Sequence, residues 1–407
     1  MNFPYNVLLI RAVNAVDRRE DWMNFIAFSP HYPPNYLPFW VSLRRMGVNV
    51  LGLGDAPWGD LRPDLRAALI EYYSVWNGHD YDALVRALGY FTHRYGKLDR
   101  LESHNEYWLE SNARLRSDFN IPGLRSEHMP AVKRKSEMKK MFLKAGLQPI
   151  RGRVCHTLDE ARIVGEELGY PLIAKPDIGV GAYQTYRLNS LRDLEEFFSR
   201  KPLADYLFEE QIEGEIVTYD GLTNQNGKVV FSSSMQYGGI MDVVNNGSDV
   251  WYMIIRAIAP DIENAGRKIA SLYRLQERFF HFEFFRRLDG SLTPLEVNMR
   301  PPGGLTTDMF NFANDFDIFH EYANIVVNNR FDAPVTRRYA CAYVGRRAAL
   351  NYRRTPEQVR AAFPLQVVYS GVIDGAFSAA IGDYGFLVRS PDEDEVVAIA
   401  AYIQEKE

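Results

Sequence analysis

The chain is short of several things, and each shortage removes a class of function. Among its 407 residues there are two cysteines, Cys155 and Cys341. They stand far apart, so they offer neither a disulfide framework nor the paired spacing of a structural zinc site. A reduced, cytoplasmic compartment is the default expectation for such a chain. No run of 18 apolar residues occurs, so no membrane-spanning helix is expected. The apolar run Val7–Ile10 reads as a buried strand, too short for a leader's core. Excess positive charge is also missing. The formal net charge is −5, and no global field draws the chain to nucleic acid or an anionic membrane. The catalytic signatures of other enzyme classes are absent as well. There is no Gly-x-Ser-x-Gly nucleophile motif, no Gly-Lys-Ser/Thr phosphate loop and no three-glycine dinucleotide fingerprint.

What is present is ordinary globular material, 46% hydrophobic and 24% charged, long enough for two or three domains. The first third alternates strand and helix signals. Helices are expected at Tyr36–Met46, Leu61–Tyr72 and Tyr81–Tyr95, and strands at Val48–Leu53 and Leu98–Glu102. That alternation predicts a parallel sheet covered on both faces. Ile121-Pro122-Gly123 marks a break before a new domain. In the middle third, helices are expected at Lys135–Ala145, Leu158–Leu168 and Asp261–Tyr273. Strands are expected at Leu172–Pro176 and Tyr206–Ile212. Two hairpins turn about Asn226-Gly227 and Asp289-Gly290, the second joining Phe279–Arg286 to Pro294–Met299. Past Arg337, strands at Ala340–Val344 and Gln366–Val372 and a helix at Asp392–Gln404 complete the chain. The expected fold class is therefore α/β and α+β. A parallel-sheet domain over 1–130 precedes a two-lobed domain over 131–335, with a small lobe at about 131–210 and a large lobe at about 211–335. A C-terminal lobe over 336–407 packs on it.

The residues that carry chemistry cluster in the second hairpin. Glu283 sits among phenylalanines in Phe279–Phe285, where an acid is costly to bury unless something positive offsets it. His281 and Glu283 share a strand face, as do Glu296 and Asn298. The Asp289-Gly290 turn can lay the two strands side by side. Two carboxylates and an amide oxygen then converge, and these are hard ligands that Mg²⁺ or Mn²⁺ accepts. Arg300 lies on the same face and can pair with phosphate oxygens. Pro301-Pro302-Gly303-Gly304 follows. Lys175 lies within the strand Leu172–Pro176, where a lysine is unexpected without an anionic partner. The loop Gly179-Val180-Gly181 after it can bring backbone amides to phosphates. The acidic segment Glu209, Glu210, Gln211, Ile212, Glu213, Gly214, Glu215 reads equally well as a solvated edge. The basic run Lys133, Arg134, Lys135, Lys139 and Lys140 reads on its own as a solvated helix face. Tyr237, Trp251 and Tyr252 read first as aromatic core.

In this order the segments resemble the ATP-grasp superfamily from about Lys133 to Asn329, and the first third looks like the domain that usually precedes it. The resemblance implies that ATP lies between two lobes. It assigns Lys135, Lys175, Gly179 and Gly181 to the phosphates. Glu209, Gln211 and Ile212 fall to the adenine edge, and Glu215 to the ribose. The position before Lys135, usually an aspartate in the family, holds Arg134. Glu283 and Glu296, thirteen residues apart, are similar to the family's two metal-bridging acids, with Asn298 completing the set and Arg300 facing the transferred phosphoryl group.

The chemistry the resemblance implies is ligation of a carboxylate to an amine through an acyl phosphate. ATP and Mg²⁺ (or Mn²⁺) are the cofactors and small acids and amines the partners. No nucleic acid or membrane partner is implied, and dimers are common in the family. The run Asn298–Asp308 resembles ligases acting on amino acids. Two alternatives stand beside this: a biotin-carboxylase-like enzyme using bicarbonate, which would need a separate carrier because no Met-Lys-Met motif occurs, and an ATP-binding module without turnover.

Overall fold

Four short strands, Glu71–Ser74, Asn49–Gly54, Asn24–Phe28 and Arg100–Glu102, lie side by side in that order as a parallel sheet. The computed structural model describes residues 22–179, 184–238 and 249–407; the strand expected at Val7–Ile10 and the loop position Gly181 lie outside them. Asn24–Phe28, unmarked in the sequence reading, is central in the sheet and buried at every residue, as a strand covered on both faces must be. The helix Tyr81–Tyr95 forms as expected: Asp80 accepts from the Ala83 amide, and Gly96 leaves the last turn with φ +84°. The helix expected over Leu61–Tyr72 is confined to Pro63–Ala68. Leu69 already has extended backbone, and Glu71–Ser74 pairs with Asn49–Gly54. Sheet pairing overrode the helical periodicity there.

A second, antiparallel sheet orders Gly152–Cys155, Tyr206–Glu210, Leu172–Pro176 and Tyr186–Leu188. The helices Leu158–Leu168 and Leu191–Ser199 cover it through Ala161, Val164, Leu194 and Phe197. The third sheet is the largest, with nine antiparallel strands. Its edge is the hairpin Phe279–Arg287 and Leu292–Asn298, which packs against Gly214–Thr223. The C-terminal strands Ala340–Arg346, Tyr384–Ser390 and Val367–Val372 continue this same sheet beyond Trp251–Ile254. The chain from Ala340 onward is thus joined to the large lobe by backbone hydrogen bonds as well as by side-chain packing. The helix Glu393–Gln404 covers them with Val396, Ile399, Ala400 and Ile403.

The parallel-sheet unit docks on the large sheet through aromatic rings. Phe39 meets Phe279, Phe319 and Tyr322 with ring centroids 5.6, 4.7 and 5.3 Å away. Beside these rings runs a buried ionic network. Arg116 donates to Glu102 at 2.9 Å and to the Leu101 and Leu124 carbonyls, while Arg278 pairs with Glu102 and donates to the Met299 carbonyl. The remaining Glu102 oxygen accepts from the Ser103 and His104 amides. Burial alone would raise the Glu102 carboxyl, but Arg278 and Arg116 outweigh it and hold it down at about 2. No helix among the described residues is long and apolar enough to cross a membrane.

Candidate functional site

The hairpin does what its turn chemistry promised. Glu283 and Glu296 are direct cross-strand partners, as are His281 and Asn298. Immediately after Glu283 the register slips by one residue, a β-bulge of the kind that re-aims side chains at a site. Directly opposed residues share a face, so the two carboxylates stand against each other. Both are largely buried, at 24% and 14% side-chain exposure. Their protonation separates. Burial and the charge of Glu283 raise Glu296 despite Lys135, whereas at Glu283 the opposite effect of His281 outweighs burial and lowers it. Like charges this close inside a protein favour any cation that arrives.

Lys135 is that cation within the chain. Its ammonium lies 3.3 Å from Glu296 Oε1 and donates to the Gly179 carbonyl at 2.9 Å. Arg134 stands where the resemblance leads one to expect an acid, and Asp177 supplies the acid from elsewhere. Its carboxylate accepts from the Ser136 amide at 2.8 Å, from the Ser136 hydroxyl at 3.0 Å and from Arg134 at 3.1 Å. A carboxylate bonding to the first turn of the helix Lys135–Lys144 complements the helix dipole. It also ties Lys135 to the end of the strand Leu172–Pro176.

Lys175 and Glu209 meet through the small sheet. Lys175 Nζ is 2.6 Å from Glu209 Oε2, and Lys139 takes the other oxygen. Burial would raise Glu209; Lys175 and Lys139 outweigh it and keep it ionised. Lys139 read in the sequence only as part of a solvated basic face; here its side chain is 13% exposed and turned to Glu209, four residues on from Lys135 and on the same helix face. Glu209 therefore has both oxygens engaged by lysines. Gln211 and Ile212 occupy the short link between Tyr206–Glu210 and Gly214–Thr223, half-buried, with Gln211 Oε1 shielded and without a hydrogen-bond partner among the described residues. Glu215 is exposed and pairs in register with Arg286, three residues from the Thr218–Glu283 pair, roughly 10 Å along the strand.

Arg300 closes the opposite side. It lies 3.6 Å from Glu106 of the parallel-sheet unit, and Lys133 holds the other Glu106 oxygen at 2.8 Å. Glu106 was not foreseen, because nothing local in the sequence ties it to Arg300. After Arg300 the chain turns at Gly304, with φ +64° and the Tyr252 hydroxyl so near that a Cβ would sit 2.8 Å from it. Both facts favour glycine there. Tyr237 and Tyr252 are cross-strand partners with rings 5.6 Å apart. Burial, with the charges of Glu283 and Asp220, raises Tyr237, which places its hydroxyl in the field of the acid cluster. Trp251, by contrast, packs with Met253 and Val344 on the other face of the sheet.

Behind Glu283 lies a polar line that the sequence showed only in part. Its neighbour His281 reaches Glu283 Oε1 through Nε2 at 2.9 Å and Asp220 Oδ1 through Nδ1 at 2.6 Å. Burial would lower this imidazole; Asp220 and Glu283 outweigh it and push it up to about 9. Among the described residues no three His, Cys, Asp or Glu side chains form a closed metal cage. Glu283, Glu296 and the amide of Asn298 could together offer oxygen donors. That suits Mg²⁺, which keeps waters and takes substrate phosphates as its other ligands.

Comparison with known proteins agrees with this geometry. Residues 168–308 match the ATP-grasp domain family, so the chain carries an ATP-grasp domain. It is 24% identical over 282 residues to an L-arginine-specific L-amino acid ligase of Bacillus subtilis, covering 64% of this chain and 67% of that one. Its fold is that of the L-amino acid ligase from Bacillus licheniformis, with a TM-score of 0.71 at 16% identity over 95% of this chain and 98% of the other. Phosphoribosylglycinamide synthetase from Anaerococcus prevotii shares the fold with a TM-score of 0.68 at 14% identity, over 94% and 98% of the two chains.

Proposed function

We infer that this protein is an ATP-dependent, ADP-forming ligase that activates a carboxylate as an acyl phosphate and joins it to an amine. The observation that carries the reading is the facing pair Glu283 and Glu296 on the ATP-grasp hairpin, with Lys135 against one acid and Arg300 two residues beyond Asn298. An acid pair held at this cost has its use in binding divalent metal against phosphates.

The roles assigned to these residues follow the ATP-grasp resemblance. Lys135 and Lys175 take phosphate oxygens, and Gly179 brings backbone to them. Arriving phosphates replace Glu209 as the partner of Lys175, while Lys139 keeps Glu209 charged and in place. Gln211 and Ile212 meet the adenine edge, and Glu215 the ribose. Glu283, Glu296 and Asn298 would hold Mg²⁺, which when bound neutralises the β- and γ-phosphate oxygens. Arg300, released from Glu106, faces the acyl phosphate. The carboxylate oxygen attacks the γ-phosphorus, ADP leaves, and the amine nitrogen then attacks the acyl carbon and expels phosphate. No side-chain nucleophile is needed, because the catalysis is positioning and charge stabilisation. The amino-acid ligase relatives support amino acids as both substrates.

The test is phosphate release from Mg-ATP in the presence of pairs drawn from the twenty amino acids, with mass spectrometry for the product. Phosphate, ADP and a dipeptide appearing together only when both amino acids are present is the expected result. Turnover that requires bicarbonate instead, or nucleotide binding without turnover for any pair, overturns the reading.

A further inference from the structure

The line Thr218–Asp220–His281–Glu283 crosses two neighbouring strands and ends on a single oxygen of one acid. Asp220 is fully buried in the middle of Gly214–Thr223 and is the register partner of His281. The Thr218 hydroxyl donates to Asp220 Oδ2 at 2.5 Å, and the Met235 amide donates to the Thr218 hydroxyl at 2.9 Å. His281, itself 4% exposed, spans from Asp220 Oδ1 to Glu283 Oε1. Its neighbours along the same strand, Phe280 and Phe282, are fully buried hydrophobes. A carboxylate and an imidazole within such a sheet are costly to desolvate before their mutual attraction is counted. A purely structural ion pair would close on itself; this one passes its second nitrogen to Glu283, which Glu296 repels from the opposite strand.

We propose that Asp220 and His281 brace Glu283, holding its carboxylate toward Glu296 against their mutual repulsion so that a divalent cation meets a preformed pair. This rests on the ligase reading of the hairpin. His281 is then a positioning residue that touches neither nucleotide nor substrate. Asp220 fixes the imidazole orientation, as outer partners of metal ligands generally do, and loss of such a partner typically weakens metal binding ~10- to 100-fold. Glu283 keeps its second oxygen for the cation, because the brace occupies Oε1.

The experiment measures Mn²⁺ binding to the full chain in the presence of ADP, by the electron paramagnetic resonance of free Mn²⁺. Nucleotide affinity in EDTA and thermal unfolding are measured alongside. His281→Ala is expected to weaken Mn²⁺ binding ~10- to 100-fold, with metal-free nucleotide affinity unchanged. His281→Gln, whose amide can still donate to Glu283, should recover part of the loss. Asp220→Asn should weaken Mn²⁺ binding less than His281→Ala does. If the alanine variant does not fold, the glutamine and asparagine variants carry the test. Wild-type Mn²⁺ affinity in every folded variant overturns the brace. Failure of the wild-type chain to bind Mn²⁺ overturns instead the metal assignment of Glu283 and Glu296, and the brace falls with it.

Discussion

Two buried groups of charges lie on either side of the strand Phe279–Arg287, and they are built on opposite principles. At its start, Arg278 joins Arg116 and Glu102 where the parallel-sheet unit docks. There the acid is outnumbered by arginines, and both its oxygens are engaged by guanidinium or amide donors. Four residues on from Phe279, Glu283 faces Glu296, with Asp220 behind, against Lys135 and His281. The first group is saturated and holds two units together. The second sets two carboxylates against each other, with His281, Lys135, Arg300 and Lys175 acting on them, an arrangement that could also take a cation from outside. Burial alone does not separate the two roles; the facing of like charges does, because two opposed carboxylates gain from an added cation and an acid enclosed by arginines does not.

The largest effect that would sharpen this contrast is expected at Glu296. Glu296→Gln should lower phosphate release by ~10³-fold, the scale for losing one charge-stabilising group. Its unfolding midpoint should hold or rise, since one of two opposed like charges is gone. A loss of stability equal to the loss of activity would break the comparison. Glu102→Gln should do the reverse, costing about 3 kcal/mol in denaturant unfolding because Arg116 and Arg278 are left buried without their anion. The folded protein that remains should turn over normally. The same network sets an acid limb. The Glu102 carboxyl is held at about 2 against an ordinary 4.5. Its contribution is therefore complete above pH 4.5 and is lost as pH falls toward 2. Glu102→Gln should flatten that part of the stability profile, and an unchanged profile would remove Glu102 from the account.

Smaller effects are expected at the lysines. Lys175→Ala should weaken nucleotide binding ~10-fold, or about 1.4 kcal/mol, read by a fluorescent ADP analogue; unchanged affinity would exclude Lys175 from the nucleotide site. Lys139→Ala should do less, ~3-fold, because Glu209 keeps Lys175 as a partner while losing one of its two cations.

Much of the site was legible because its members are local. Glu283 and Glu296 declare themselves through a hairpin whose Asp289-Gly290 turn fixes the pairing, and Lys175 through its position in an apolar strand. The members that were missed lie across space. Asp220 meets His281 only through the register of two strands 61 residues apart in sequence. Glu106 reaches Arg300 only because the parallel-sheet unit docks beside the large lobe. Lys139 was half legible, from its four-residue spacing after Lys135. Likewise Leu61–Tyr72 looked helical by periodicity, but neighbouring strand edges decided where the helix stopped.

By itself, then, the sequence determined the alternation of the first third, the hairpin and the order of lysines, acids and asparagine that marks an ATP-grasp domain. The alternation and the hairpin are set by turn chemistry and side-chain period, which act over a few residues; the order of the charged residues points to the family by resemblance. Only the tertiary structure decided which acid faces another acid and which is enclosed by arginines. That depends on strand register and domain docking, and it is this facing that makes Glu102 a clamp and Glu283 a candidate metal ligand.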